Sequence, residues 1–359
     1  MFITPPDISE NTISIAGHEV GADQPTFIIA EVAQSHDGSL GMAHAFIEAA
    51  AMTGADAIKF QTHIAAAEST LDEPFRVSFS RQDTTRMDYW KRMEFTPEQW
   101  QGLAEHAGEK GLIFLSSAFS VEAVDMLRRI GMPAWKVGSG EFCSWDLMKA
   151  MADTGAPILF STGMSFVEEI RAVVAWFHEI GAKFALFQCT SKYPIPLEEV
   201  GLNVVEQLRQ EFHCPVGLSD HSGTIYPGLA AMARGAALLE VHVTFDRGMF
   251  GPDVPAAVTF EELAILCTAR DAFAMMDGNP VDKNKIAGQL QHMRIMFGRS
   301  LAPVTMLSAG TELKPGMLIS KKPAGGIAPE HAEKILGRRL ARDVTPDRIL
   351  RWEDLHEED

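Results

Sequence analysis

Eight short apolar runs recur along the first three-quarters of the chain, and nearly every one ends in residues able to do chemistry. They are Thr26–Val32, Ala57–Thr62, Ile113–Phe119, Ala134–Gly140, Ile158–Gly163, Phe184–Thr190, Val216–His221 and Leu238–Thr244. Helical stretches with apolar residues at helical spacing separate them. Strand–helix repetition with short links is the signature of a parallel sheet. Eight evenly sized units, with no GxGxxG after the first strand, favour a closed (β/α)8 barrel over an open doubly wound sheet. Closure would gather Glu31, Lys59, Gln61, Ser117, Lys136, Ser139, Ser161, His221 and His242 around one mouth.

The 359 residues exceed the roughly 250 of an α/β barrel. The sequence divides into an extended arm (1–25), the barrel (26–276), a connecting segment (277–297) and a small terminal module (298–359). That module alternates candidate strands with Gly/Pro turns around one short helix at Glu330–Leu336. Helix starts are well marked: Ser120, the Thr96-Pro97-Glu98-Gln99 run and the Thr259-Phe260-Glu261-Glu262 run all carry capping signals. The stretch Thr62–Glu94 is far too long for an ordinary link and is rich in Arg, Asp and aromatics. Loops of that length usually shape a site.

A net charge of −17 argues against nucleic acid as a partner, because counterion release needs clustered Lys and Arg. No apolar run reaches the roughly 20 residues of a spanning helix, and the N-terminus lacks a signal peptide's basic start and apolar core. The four cysteines, Cys143, Cys189, Cys214 and Cys267, show no paired spacing, which predicts a reduced, cytoplasmic protein. Cys189 reads as a small buried hydrophobe.

In an acidic chain an anionic substrate needs locally placed cations, and Lys59 and Lys136 sit on strands two and four. The plain reading of each is a buried ion pair with Glu31, Glu141 or Glu240. The sharper one is capture of a carboxylate and a phosphate, because Ser117, Ser139, Ser161, Ser191 and Ser219 recur at the same level. His221 and His242 end neighbouring strands, within reach of one divalent ion; Mn²⁺, Mg²⁺, Fe²⁺, Co²⁺ and Zn²⁺ are the candidates. Water, substrate or a carboxylate such as Glu31 would complete its coordination. Tyr193-Pro194 and the Gly251-Pro252-Asp253 turn hang over the same mouth. A Schiff-base aldolase built on Lys136 or Lys59 is the rival enzyme class. A sugar- or ice-binding protein built on the terminal module is the non-enzymatic one.

At these residues the chain resembles the sialic acid synthase family. The segments that carry the likeness are FIIAEVAQSHDGSL, GADAIKFQT, FLSSAFS, WKVGSGEF, STGMS, QCTSKYPIPLEEVGLN, VGLSDHSGT, LEVHVTFDRGMFGPD and, near the end, KKPAGGIAP and ILGRRLARD. The terminal module resembles the antifreeze-like SAF module of these synthases, which caps the partner's barrel in a domain-swapped homodimer. The resemblance implies condensation of phosphoenolpyruvate with an N-acetylated hexosamine such as N-acetylmannosamine, with phosphate lost by C–O cleavage. A diacetamido sugar, as in legionaminate or pseudaminate synthases, is the alternative acceptor.

By this resemblance Lys59 holds the phosphoenolpyruvate carboxylate, with Gln61 nearby. Lys136, Ser117, Ser139, Ser161, Ser191 and Ser219 hold its phosphate. His221 and His242 bind a divalent metal, typically manganese, acting as Lewis acid on the open-chain aldehyde. Glu141, Tyr193, Asp253 and Lys322 contact the amino sugar, and Glu31 lies near the metal and the aldehyde. Departures from the family pattern cluster at the sugar end: Ser35 for Asn, Val241 within Glu-Val-His, Val254 for His, Ser191 for Asn, and Lys322 for an arginine. Lys322 keeps the charge but loses the bidentate fork.

Overall fold

The apolar runs become strands wherever both of their faces find something to pack against. The computed structural model describes residues 12–357. Two compact units divide the chain, Met1–Gly278 and Asn279–Asp359. In the first, the strands are β1 (Phe27–Ala33), β2 (Ala57–Thr62), β3 (Ile113–Ala118) and β4 (Trp135–Val137), followed by β5 (Ile158–Ser161), β6 (Phe184–Cys189), β7 (Val216–Asp220) and β8 (Leu238–Thr244). Each pairs in parallel with its successor, and β8 pairs with both β7 and β1, so the ring is closed. That settles the choice between barrel and open sheet. β4 stops at Val137, and Ser139–Glu141 forms a single tight helical turn rather than continuing the strand.

Strand alternation sorts the side chains. Outward residues such as Ile28, Ala30, Ile58 and Phe160 pack with the surrounding helices into one core. Inward residues low in the barrel, including Phe27, Ile29, Ala57, Leu115, Phe187 and Leu238, form a second core. Ile13, Ile15 and Val20 join that second core. They belong to an antiparallel hairpin, Thr12–Ile15 with His18–Gly21, that turns through Ala16 and Gly17, both at positive φ. A two-residue turn of this kind suits a twisted hairpin. The second half of the expected arm is therefore a plug under the barrel, held by its alternating isoleucines; residues 1–11 of the arm lie outside the described residues. With the lower interior filled by hydrocarbon, the polar residues are left at the C-terminal ends of the strands.

The helix-start signals act as expected. Ser120 accepts from the Ala123 amide, and Thr96 and Thr259 each form reciprocal caps with Gln99 and Glu262. The long Thr62–Glu94 connection holds helices Ala65–Glu68 and Arg86–Met93. It builds a core of its own from Ala65, Tyr89, Trp90 and Met93, flanked by Phe75, Phe79 and Met87. Arg92 fastens it by bonding Asp83 and Asp37.

In the second unit, helices Lys283–Gln289 and Gln291–Phe297 occupy the expected connecting segment. Strands Ser300–Pro303 and Leu318–Lys321 pair antiparallel, with a short helix at Ala332–Ile335. Leu301, Leu313, Ile327, Ile335, Leu340, Val344, Leu350 and Leu355 form its core.

Candidate active site

Register alone brings the charged residues together. His242 on β8 is the partner of Glu31 on β1, Glu31 is the partner of Lys59 on β2, and Ser117 on β3 is the partner of Lys136 on β4. All five line a cavity of about 660 Å³ at the strands' C-terminal ends. The Lys59 ammonium lies 2.6 Å from Glu31 and 3.7 Å from Glu240, and that of Lys136 lies 3.6 Å from Glu240. The plain ion-pair reading therefore holds for Glu31 and Glu240. Glu141 instead accepts from the Ser144 hydroxyl.

Burial shapes this quartet's charge. Glu31 is pushed up to about 7 by desolvation, against the pull of Lys59. Glu240 is equally desolvated, yet Lys136 and Lys59 together hold it down at about 2. Burial alone would pull the Lys59 ammonium down, but Glu240 and Glu31 outweigh it and raise it. For Lys136 burial prevails and lowers it. When Glu31 holds a proton, the floor carries two ammonium groups against one carboxylate, which suits an anion.

Hydroxyls surround the two cations. Lys59 donates to Ser117 at 3.3 Å and Lys136 to Ser161 at 2.7 Å. Ser219 donates to Glu240 at 3.0 Å, and Gln61 donates to Glu31 at 3.0 Å. Ser139 accepts from the Gly163 amide at 3.2 Å. A Cβ at Gly163 would lie 2.6 Å from the hydroxyls of both Ser139 and Ser191, so glycine lets these two serines close in. Cys189 sits among them, 3.4 Å from Ser139 and 3.9 Å from both Ser191 and the His221 ring nitrogen. It lines the cavity rather than packing as a plain hydrophobe.

The two imidazoles stand with ring centroids 5.2 Å apart. His221 places Nδ1 3.1 Å from the Thr190 carbonyl, and donating there turns the lone pair of Nε2 outward. His242 is buried with Nδ1 lacking any partner, and burial holds its pKa well below the ordinary value, so it is neutral. For His221 burial would lower the pKa, but the Cys189 thiol and the Thr190 carbonyl outweigh it and raise it. Two imidazoles on adjacent strands, each with a ring nitrogen free of backbone duty, fit a divalent ion. Among the described residues no group of three or more His, Cys, Asp or Glu is arranged around an ion. Glu31 is in register with His242 but spends its carboxylate on Lys59 and Gln61.

Above the imidazoles lies Tyr193, stacked on His221 at 4.1 Å. Arg76, from the long insert, lies 4.0 Å over the Tyr193 ring and 2.6 Å from Asp253. Glu141 also lines the cavity, whereas Lys322 belongs to the second unit, where its ammonium lies 5.2 Å from the Phe297 ring. Sequence reasoning marked the insert as site-shaping but did not single out Arg76, His63, Glu68 or Trp90 within it. A weak signal existed for His63: with Lys59 and Gln61 it continues the two-residue alternation of β2.

Comparison with known proteins decides the family. Residues 46–282 match the model of the NeuB family. The chain belongs to that family. Residues 298–356 match the SAF domain. An N,N'-diacetyllegionaminic acid synthase of Campylobacter jejuni is 32% identical, over 91% of this chain and 99% of the relative. The N-acetylneuraminate-9-phosphate synthase of Homo sapiens is 31% identical, over 92% and 93%. A crystal structure of N-acetylneuraminic acid synthetase from Leptospira borgpetersenii superposes with a TM-score of 0.69 at 29% identity, covering 79% of this chain and 96% of that one. The resemblance drawn from the strand-end motifs is thus a family membership, and both expected domains are present.

Proposed function

We propose that this protein condenses phosphoenolpyruvate with a 2-acetamido sugar, forming a nine-carbon 2-keto acid and releasing phosphate. The observation that carries the reading is the buried floor, where two ammonium groups and a set of hydroxyls lie beside two imidazoles. Lys59, with Gln61, takes the carboxylate of phosphoenolpyruvate. Lys136, Ser117, Ser139, Ser161, Ser191 and Ser219 take its phosphate. Glu141, Tyr193 and Asp253 face the amino sugar, and Glu31 lies beside its aldehyde.

His221 and His242 would hold a divalent metal, with manganese favoured; when bound, it supplies Lewis-acid polarisation of the aldehyde. With the two substrates so oriented, C3 of phosphoenolpyruvate bonds to the aldehyde carbon, and positive charge develops at C2. Water adds at C2, and the tetrahedral adduct expels phosphate by breaking the C2–O bond. Lys136 and the serines stabilise the phosphate throughout, as preorganised donors in a water-poor site do. No imine is needed, so Lys59 and Lys136 serve as cations, not nucleophiles.

A diacetamido sugar is the second acceptor class, favoured by the name of the Campylobacter relative. The catalytic unit would be residues 26–276 and the SAF module 298–359. In a domain-swapped homodimer, Lys322 of one copy would serve the other copy's sugar site. Four free cysteines suit the cytoplasm. Among the described residues no helix is long and apolar enough to cross a membrane.

The test is phosphate release from phosphoenolpyruvate with Mn²⁺ and N-acetylmannosamine or a diacetamido hexose. Release that EDTA stops is expected. No release with any 2-acetamido sugar removes the assignment.

A further inference from the structure

The wall of the cavity holds a polar group that the reaction just described does not use. His63 is buried, 3% exposed, yet it lines the cavity. Its ring is clamped between two aromatic planes: Trp90 at 3.8 Å and 12°, and Phe119 at 4.5 Å and 5°. Its Nδ1 is held by the Glu68 carboxylate, and its Nε2 is buried without any hydrogen-bond partner. A buried polar atom with no partner in a native protein calls for an explanation. The surroundings are elaborate for mere packing, since the insert's own core presents Trp90, and Glu68 also accepts from the Ile64 amide.

Geometry says which end of the cavity His63 serves. Lys59 and Gln61 on β2 and His63 just past its end stand two residues apart, each step being about 7 Å, and all three line the cavity. Lys59 is at the floor, so His63 lies beyond the place of the smaller substrate. Glu141, raised by burial and eased down by the Ser144 hydroxyl, has both Glu68 and His63 as electrostatic neighbours on that side. The carboxylate of Glu68 accepts from Nδ1–H, and this fixes the tautomer in which Nε2 carries a lone pair.

We propose that His63 is a substrate-contacting specificity residue: its Nε2 accepts a hydrogen bond from a hydroxyl or acylamino N–H of the acceptor sugar. Glu68 is its positioning residue, and Trp90 and Phe119 keep the ring from turning. This rests on the synthase reading of the cavity. It adds that the insert exists to build an acceptor wall.

The test uses His63→Phe, which keeps a flat ring between Trp90 and Phe119 but removes Nε2, and His63→Gln, which returns a polar group. N-acetylmannosamine and a diacetamido hexose are titrated calorimetrically into the full-length protein without phosphoenolpyruvate, and phosphoenolpyruvate is titrated separately. In His63→Phe, sugar affinity should fall about tenfold or more while phosphoenolpyruvate affinity stays within twofold. His63→Gln should recover part of the loss, and Glu68→Ala should weaken the sugar alone. Equal sugar affinity in wild type and His63→Phe, or equal losses for both substrates, overturns the proposal and leaves the synthase reading intact. Wild-type protein that binds phosphoenolpyruvate but neither sugar overturns both.

Discussion

The floor of the cavity and its outer wall are built by opposite strategies. On the floor, charged and hydroxyl groups ride on strands whose register is fixed by the closed barrel, so Glu31, Lys59, His242 and Lys136 meet through backbone pairing. At the wall, Arg76, Trp90 and Glu68 ride on an insert with a separate core. They reach the barrel through side chains: Arg76 to Asp253, Arg92 to Asp37, and His63 of the insert to Phe119 at the end of β3. A rigid floor suits a substrate and a reaction that stay the same. A side-chain-built wall can be altered without disturbing register, which suits a variable acceptor. The lesson is that reaction class should break with the floor and acceptor choice with the wall.

Substitutions that break the floor should have the largest effect. His242→Ala removes one of two imidazoles, so turnover should become undetectable, and the rise in melting temperature with added Mn²⁺ should vanish while the folded far-UV signature persists. Retained turnover would show that no metal is held there. Next, Lys136→Met should lower phosphate release by about a thousandfold. It should also cost about 3 kcal/mol of stability in urea denaturation, because Glu240 keeps only Lys59 as a counter-charge.

A third prediction lies where wall meets barrel. His36 is fully buried, packs with its ring tilted against Phe95 at 4.8 Å and accepts from the Gly38 amide; desolvation, with His63 and Arg92 adding to it, lowers its pKa to about 3. The fold therefore holds it neutral. Its contribution is complete above the unfolded pKa of 6.5 and is lost as pH falls toward 3. At pH 5 the loss is about 2 kcal/mol. The stability difference between wild type and His36→Gln, measured in urea at pH 7.5 and pH 5, should shrink by that amount; a constant difference would show that His36 does not titrate as described.

The smallest effect belongs to the wall. Arg76 is partly exposed, 39% for its side chain, so its pair with Asp253 is screened. Arg76→Ala should raise the acceptor KM about tenfold and leave the KM for phosphoenolpyruvate unchanged. Equal rises in both would erase the distinction between the two regions.

The same contrast explains what could be read in the chain beforehand. The floor was legible because buried parallel strands must be apolar and their polar ends stand out; Ala57–Thr62 and Leu238–Thr244 match the observed strands residue for residue. Lys59's counter-charges were identifiable as a set, but choosing Glu31 and Glu240 over Glu141 needed the register. The plug was missed because a four-residue alternation looks the same in an arm and in a hairpin that buries Ile13 and Ile15. The wall was visible only as an oddity of length. Nothing periodic links His63 to Trp90 or Arg76 to Tyr193, and contacts between side chains of irregular segments leave no pattern in the order of residues.

The most direct check on the whole account follows the bridging oxygen of phosphoenolpyruvate. With that atom labelled as ¹⁸O, and with Mn²⁺ and a 2-acetamido sugar present, the label should leave in inorganic phosphate while the keto acid gains its C2 oxygen from water. Label retained in the keto acid would mean cleavage at phosphorus, contradicting the role given to the lysine-and-serine floor.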